Sequence, residues 1–278
     1  MAGAFGLALA ACGPSVTEKA VRVGPAGSDI GAIDHVVFLM HENRSFDHYY
    51  GTYPGVRGFT DSTALPSVFA QSWNGAADGY AASSFLLPFH LNTLTTDAEC
   101  TFDLSHEWNA QHLCWDHGSM DAFVATHTSA QFEGPGSGVL TMGYYTRQDL
   151  PYWYSLADAF TICDNYHCSV LGPTHPNRLY AWSGTLDPAG EEGGPILVTN
   201  SASSFIGSAR WKTMPEELES KGVSWKVYNP PGSAYQPSNP ISMALSDNIL
   251  LYFHQHVSDP SSPLYQRAFG SLFPADFR

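Results

Sequence analysis

Positive charge is scarce in this chain: 12 Lys and Arg stand against 26 Asp and Glu among 278 residues, a formal net charge of −14. A nucleic-acid binder needs a basic stripe that displaces counterions, so that class is excluded. The same deficit repels anions at long range, and a phosphate-bearing ligand would need local cations or a metal. Cysteine is sparse too, five in all and no Cys-x-x-Cys pair, which argues against a zinc ribbon or a thioredoxin-type site. G-x-S-x-G, the Walker loop and G-x-G-x-x-G are all missing, so the common serine-esterase elbow and the nucleotide cradles are out. The chain has no internal repeat and no long low-complexity run.

What the chain does have is aromatic side chains (13%), 19 prolines and 25 glycines, with only 14% charged residues. That composition describes a loop-rich globular protein rather than a disordered one. The length suits one large α/β domain or two smaller ones. Residues 1 to 16, MAGAFGLALAACGPSV, are small and apolar like the core of a signal peptide, and Leu9–Cys12 has the form of a lipoprotein box. No Lys or Arg precedes Lys19, so the usual positive start is missing, and the segment is too short to span a bilayer. Residues 1–29 are therefore expected to be a signal or lipobox-like segment and flexible entry. The protein is expected to be exported, secreted or envelope-associated, with Cys12 as a candidate lipid anchor. The other four cysteines, Cys100, Cys114, Cys163 and Cys168, suit two disulfides in an exported chain, with three pairings open. Buried free thiols are the alternative.

Periodicity places several elements. Ile33 to Met40, IDHVVFLM, is apolar enough for a central strand buried on both faces. Residues 52 to 100 read as a long irregular excursion. Residues 105 to 127 contain helical stretches, with an entry between Ser105 and Glu107. A helix is expected after Pro151, with Tyr152, Leu156, Ala159 and Phe160 on one side, and another from about His175 to Ser183. RWKTMPEELESKGVSWKVYN reads as helix, Gly222 stop, then strand. Helix-then-strand order favours a mainly parallel sheet with helices on both faces.

Two stretches concentrate chemistry. HENRSFDHYYG (41 to 51) leaves the apolar run at once into polar groups. Glu42 and Asn43, a carboxylate and a carboxamide at a strand end, are good hard-metal ligands, although Asn43 and Ser45 could equally cap a helix over 46–50. GPTHPNR (172 to 178) puts the Thr174 hydroxyl at a helix N-terminus, where free N–H groups and the dipole favour an anion. Thr174 could also be a plain N-cap. Arg178, one turn on, could neutralise phosphate or simply lie on the helix surface. His106, His112 and His117 gather near Glu107, Asp116 and Asp121, but their spacing gives no single-helix zinc pair.

Taken together, ENRSFDHYYG after an apolar run and GPTHPNR about 130 residues later resemble the bacterial phosphoesterase family of phospholipases C and acid phosphatases, mycobacterial phospholipases C among them, the D form included. The likeness extends through SHEW…WDHGSMDAF, the block from MGYYTRQDLPYWY to YAWSGT, and TMPEELESKGVSWKVY, covering about residues 30 to 278. It implies an alkaline-phosphatase-like α/β fold, with residues 30–278 as the N-terminal portion of a phosphoesterase catalytic domain. It also implies a divalent metal ion held by Glu42, Asn43 and Thr174, with Thr174 as nucleophile, His106 touching the phosphoryl group and Arg178 binding substrate phosphate. The expected activity is phospholipase C cleavage of phosphatidylcholine-like diesters at a membrane surface, to diacylglycerol and a phosphorylated head group. No protein partner is implied. The family's later acidic block, close to YDExGGFFDHV, has no counterpart before Arg278, so the fold is expected to be incomplete at its C-terminus. The alternatives are a truncated inactive remnant, a non-enzymatic envelope protein, or a phosphomonoesterase of the same family.

Overall fold

A computed structural model describes residues 33–75, 84–128, 137–196, 205–229 and 247–270. The chain divides into two compact units, Met1–Asn43 and Arg44–Arg278. The signal-like segment and Cys12 lie outside the described residues.

In the first unit, residues 33–43 form neither helix nor strand, and residues 33–40 are all exposed, Val37 by 87% and Phe38 by 93%. The buried central strand expected there is thus not present. Apolar content makes a segment able to join a sheet, but a strand exists only when neighbours take its N–H and C=O groups. Among the described residues none do so for this run.

In the second unit the fold is mixed α/β with small sheets. Its helices are α1 (Phe46–Tyr50), α2 (Pro66–Phe69), α3 (Trp108–Trp115), α4 (Phe123–Thr128), α5 (Pro151–Ala159), α6 (Thr174–Ser183), α7 (Met214–Ser220), α8 (His254–Val257) and α9 (Pro263–Phe269). Strands β1 (Gln71–Ser72) and β2 (Phe85–Leu86) pair antiparallel, while β3 (Phe89–His90) and β4 (Gly143–Tyr144) pair parallel, His90 opposite Tyr144.

Proline and glycine set the helix limits. Pro151 opens α5, Pro215 lies in the first turn of α7, and Gly184 closes α6 with a left-handed φ of 71°; these are sites where a missing N–H or a missing Cβ is tolerated. Thr213 and Glu216 add a reciprocal capping box to α7. Two local expectations fail. On α5 the buried residue is Tyr154, while Tyr152 and Phe160 are exposed, because the helix packs through Tyr154 onto α1 rather than through the more apolar-looking side. The strand expected after Gly222 is absent: residues 223–228 carry no strand, although the Val227 N–H donates to the Arg267 carbonyl.

The core is assembled around Ile249–Tyr252, a 3-10 turn, and Phe253, all of them buried. Leu179 of α6, Trp211, and Ala268 and Phe269 of α9 close over it. Each buried Leu, Ile or Phe side chain here contributes about 1.5–3 kcal/mol by leaving water. Asn248 caps the turn through its Oδ1 and donates from Nδ2 to Asn229 and the Ala268 carbonyl. No disulfide joins Cys100, Cys114, Cys163 and Cys168: all four are free, and only Cys114 is buried. The two expected bridges are therefore not formed. An even cysteine count permits pairing but does not bring Cβ atoms to bridging distance.

Candidate active site

The entry motif divides in two. Glu42 is half-buried and Asn43 exposed at the end of the first unit, Asn43 with a left-handed φ of 62°, a conformation asparagine tolerates better than most residues. In the second unit, Ser45 caps α1 by accepting from the His48 N–H at 3.1 Å. His48 Nδ1–H donates to the Gly143 carbonyl at 2.7 Å, and the Tyr145 N–H donates to the His48 carbonyl, which fastens α1 to β4. Burial pushes the His48 pKa down, partly offset by its bond to Gly143. The Tyr154 hydroxyl reaches the Tyr49 carbonyl at 3.0 Å. Gly51 ends the motif because a Cβ there would stand 2.6 Å from the Asp47 carbonyl and the Phe59 ring. Much of HENRSFDHYYG therefore builds the fold.

The second motif sits on α6. Thr174 is its first residue, half-buried, with Pro173 as the extended N-cap. Its hydroxyl makes no hydrogen bond among the described residues, and it stands at the N–H end of the helix, where the dipole is positive. Its neighbour His175 is 2% exposed, and the Tyr252 hydroxyl donates to its Nδ1 at 2.6 Å. Burial raises the Tyr252 pKa, so the phenol keeps its proton; burial likewise lowers the His175 pKa, with Asp247 opposing and Arg178 assisting. A neutral His175 thus anchors α6 in the core. Arg178 donates from Nη1 to the Asp247 carbonyl at 3.2 Å.

Asn177 was not singled out in the sequence, yet it makes the densest set of contacts near Thr174. Its Oδ1 accepts from the Val170 N–H at 3.1 Å. Its Nδ2 faces the carbonyls of Val170 (3.0 Å), Gly172 (3.0 Å) and Pro173 (3.1 Å). Asp149 was missed as well. Its buried carboxylate accepts from the backbone and hydroxyl of both Thr93 and Thr146 and from His90 Nε2 at 2.7 Å. Burial alone would raise its pKa, but the bonds from Thr146, His90 and Thr93 outweigh that and hold it well below the usual carboxylate range.

His106 lies just ahead of α3, its Nε2 3.8 Å from Asp103 Oδ1. His112 is turned onto its own helix, its Nδ1–H donating to the Trp108 carbonyl at 2.9 Å. Among the described residues no three His, Cys, Asp or Glu side chains converge as metal donors. The histidine-rich stretch is therefore not a preassembled centre of its own.

Comparison with known proteins fixes the family. A model of the Phosphoesterase family matches residues 33–272. This chain belongs to the Phosphoesterase family. The chain is 42% identical over 267 residues to phospholipase C A of Mycobacterium tuberculosis, covering 94% of its own length and 49% of that protein. It is 40% identical over 284 residues to the non-hemolytic phospholipase C of Burkholderia pseudomallei, covering 96% of this chain and 37% of that one. The non-hemolytic phospholipase C of Pseudomonas aeruginosa matches at 38% over 84% of this chain and 31% of its own. The chain thus spans about half the length of the mycobacterial relative and less of the others. No helix among its described residues is long and apolar enough to cross a membrane.

Proposed function

We propose that this phosphoesterase is a phospholipase C that cleaves phosphatidylcholine-like diesters at a membrane surface, with Thr174 as nucleophile. One conjunction supports the reading: a family match over most of the chain, and a threonine at the first position of a helix anchored in the core. In this reading the Thr174 Oγ bonds to phosphorus as the bond to the diacylglycerol oxygen breaks, and that oxygen takes up a proton. Water then cleaves the Oγ–P bond, freeing the phosphorylated head group and restoring the hydroxyl. The N–H end of α6 and the Arg178 guanidinium balance negative charge developing on the phosphoryl oxygens. His106 is assigned a contact to the same group on the strength of the motif match.

On the strength of the motif match alone, Glu42, Asn43 and Thr174 are assigned as donors to a divalent cation. Their chemistry fits, since carboxylate, carboxamide and hydroxyl all offer the oxygen that hard cations take. Such an ion, when bound, lowers the hydroxyl pKa and neutralises phosphoryl charge. The same reading carries the alkaline-phosphatase-like architecture, supported by the parallel β3–β4 pair. It also carries export from the cytoplasm, with Cys12 as lipid site; mass spectrometry of an unmodified Cys12 would remove the anchor.

The decisive assay is turnover of a phosphocholine diester with and without added divalent metal, beside Thr174→Ala. The variant is expected to lose about 10³-fold or more while unfolding at nearly the same temperature. Turnover surviving in Thr174→Ala would remove the nucleophile assignment. Preference for a phosphate monoester would move the reading to a phosphomonoesterase. A cooperatively folded chain without turnover would favour a non-enzymatic role.

A further inference from the structure

We propose that Asn177 is a positioning residue for Thr174, its carboxamide clamping the turn at 170–173 so that the hydroxyl is held at the mouth of α6; the proposal rests on the nucleophile reading above. Asparagine is a poor helix former, so its presence at the fourth residue of α6 is not explained by the helix. Its side chain turns back along the chain instead, to residues four to seven positions earlier. Its one acceptor oxygen takes the N–H of Val170, the residue that opens the turn. The two amide hydrogens are shared among three carbonyls at 3.0–3.1 Å. A flipped amide would set oxygen against those three carbonyls, so the network itself fixes the orientation.

No other side chain reproduces this set. Aspartate keeps the bond from Val170 but turns a negative charge on three carbonyl oxygens. Alanine leaves the buried Gly172 and Pro173 carbonyls without that donor. Glutamine carries its amide one methylene too far.

The helix does not depend on this clamp. His175 and Leu179 hold α6 to the core, and Gly184 closes it. At the far end, Ser183 Oγ donates toward the Leu179 and Thr185 carbonyls and accepts from Trp211 Nε1 at 2.9 Å. Loss of Asn177 therefore frees the turn and leaves the helix. A reacting hydroxyl displaced by about 1 Å costs on the order of 10²-fold in rate.

The test compares Asn177→Ala and Asn177→Asp with Ser183→Ala, which loosens the other end of α6. Three quantities are read on the whole chain: hydrogen exchange at the Val170 amide, the kcat and KM for a chromogenic phosphocholine diester, and the acid-quenched amount of phosphoryl-Thr174. The clamp predicts faster Val170 exchange and about 10²-fold lower kcat and phosphoryl-Thr174 formation in both Asn177 variants, with KM held within about twofold. Ser183→Ala keeps its phosphorylation rate at an equal loss of thermal stability. Unchanged Val170 exchange overturns the clamp. Fast exchange with undiminished phosphorylation, or an equal loss in Ser183→Ala, overturns the positioning role. Absence of phosphoryl-Thr174 in the unmodified chain sinks the nucleophile reading and this role with it, and Val170 exchange then still reports separately whether the clamp exists.

Discussion

Acid is expected to unfold this protein through His256 before its carboxylates are exhausted. His256 is fully buried between α7, Trp225 and α9. The Thr213 hydroxyl donates to Glu216 Oε2 at 2.7 Å, so it must accept from His256 Nε2–H, 3.0 Å away. That fixes the neutral tautomer and leaves Nδ1 unprotonated in a buried site. A second proton would have to go there. Burial therefore drives the pKa from 6.5 down to about 4, with Glu216 and the Leu264 backbone pulling the other way without matching it. Because the folded value lies below the unfolded one, the unfolded chain binds more protons between them. The stabilisation is complete above about pH 6.5 and is lost as pH falls towards 4. At 1.36 kcal/mol per unit the full loss is about 3 kcal/mol. Urea unfolding at pH 7, 5.5 and 4, beside His256→Gln, isolates this contribution: glutamine can still donate to Thr213 but cannot titrate. The stability gap between the two proteins should narrow by about 3 kcal/mol across that range. A gap that stays constant with pH, or an imidazole that titrates near 6.5 by NMR, would refute the reasoning.

The cysteines give a second check. Burial raises the Cys114 thiol to about 11, whereas Cys100, Cys163 and Cys168 are exposed; brief alkylation at pH 8 should label those three and spare Cys114 until denaturant is added. Labelling of Cys114 at the same rate would contradict its burial. Asp149→Asn should destabilise by about 2–4 kcal/mol in chemical denaturation, since it presents an amide to the donors of Thr93, Thr146 and His90. A change under 0.5 kcal/mol would show that those bonds are replaceable by water.

Helix limits were legible because they are written in local chemistry. Pro151 and Gly222 act on the backbone within one turn, and α5 and α7 lie where those residues put them; the Thr213–Glu216 box and the left-handed Gly184 emerged only from the fold. Strands were not legible, as Ile33–Met40 and residues 223–228 illustrate. Their apolar content was read correctly, but a ladder depends on a second segment whose approach no local residue encodes. The candidate nucleophile was visible through its motif, while its support was not. Asn177 and Asp149 look like ordinary polar residues in the sequence, and only the folded path brings Val170, Thr93 and His90 to them. Cysteine number failed for the same reason, being a count without distances.

The exposed run Val36-Val37-Phe38-Leu39-Met40 also governs how the protein behaves in bulk. Its side chains are 68%, 87%, 93%, 72% and 48% exposed, and it contains no charge, proline or glycine. Short uncharged segments of β-branched and aromatic residues stack in register between molecules as cross-β ribbons. Concentrated solutions should therefore gel or cloud after a lag, with thioflavin fluorescence rising steeply with concentration, and Phe38→Lys should lengthen that lag by placing like charges one above another at a spacing of about 4.8 Å along the fibril. A lag indifferent to that substitution would place the sticky segment elsewhere in the chain.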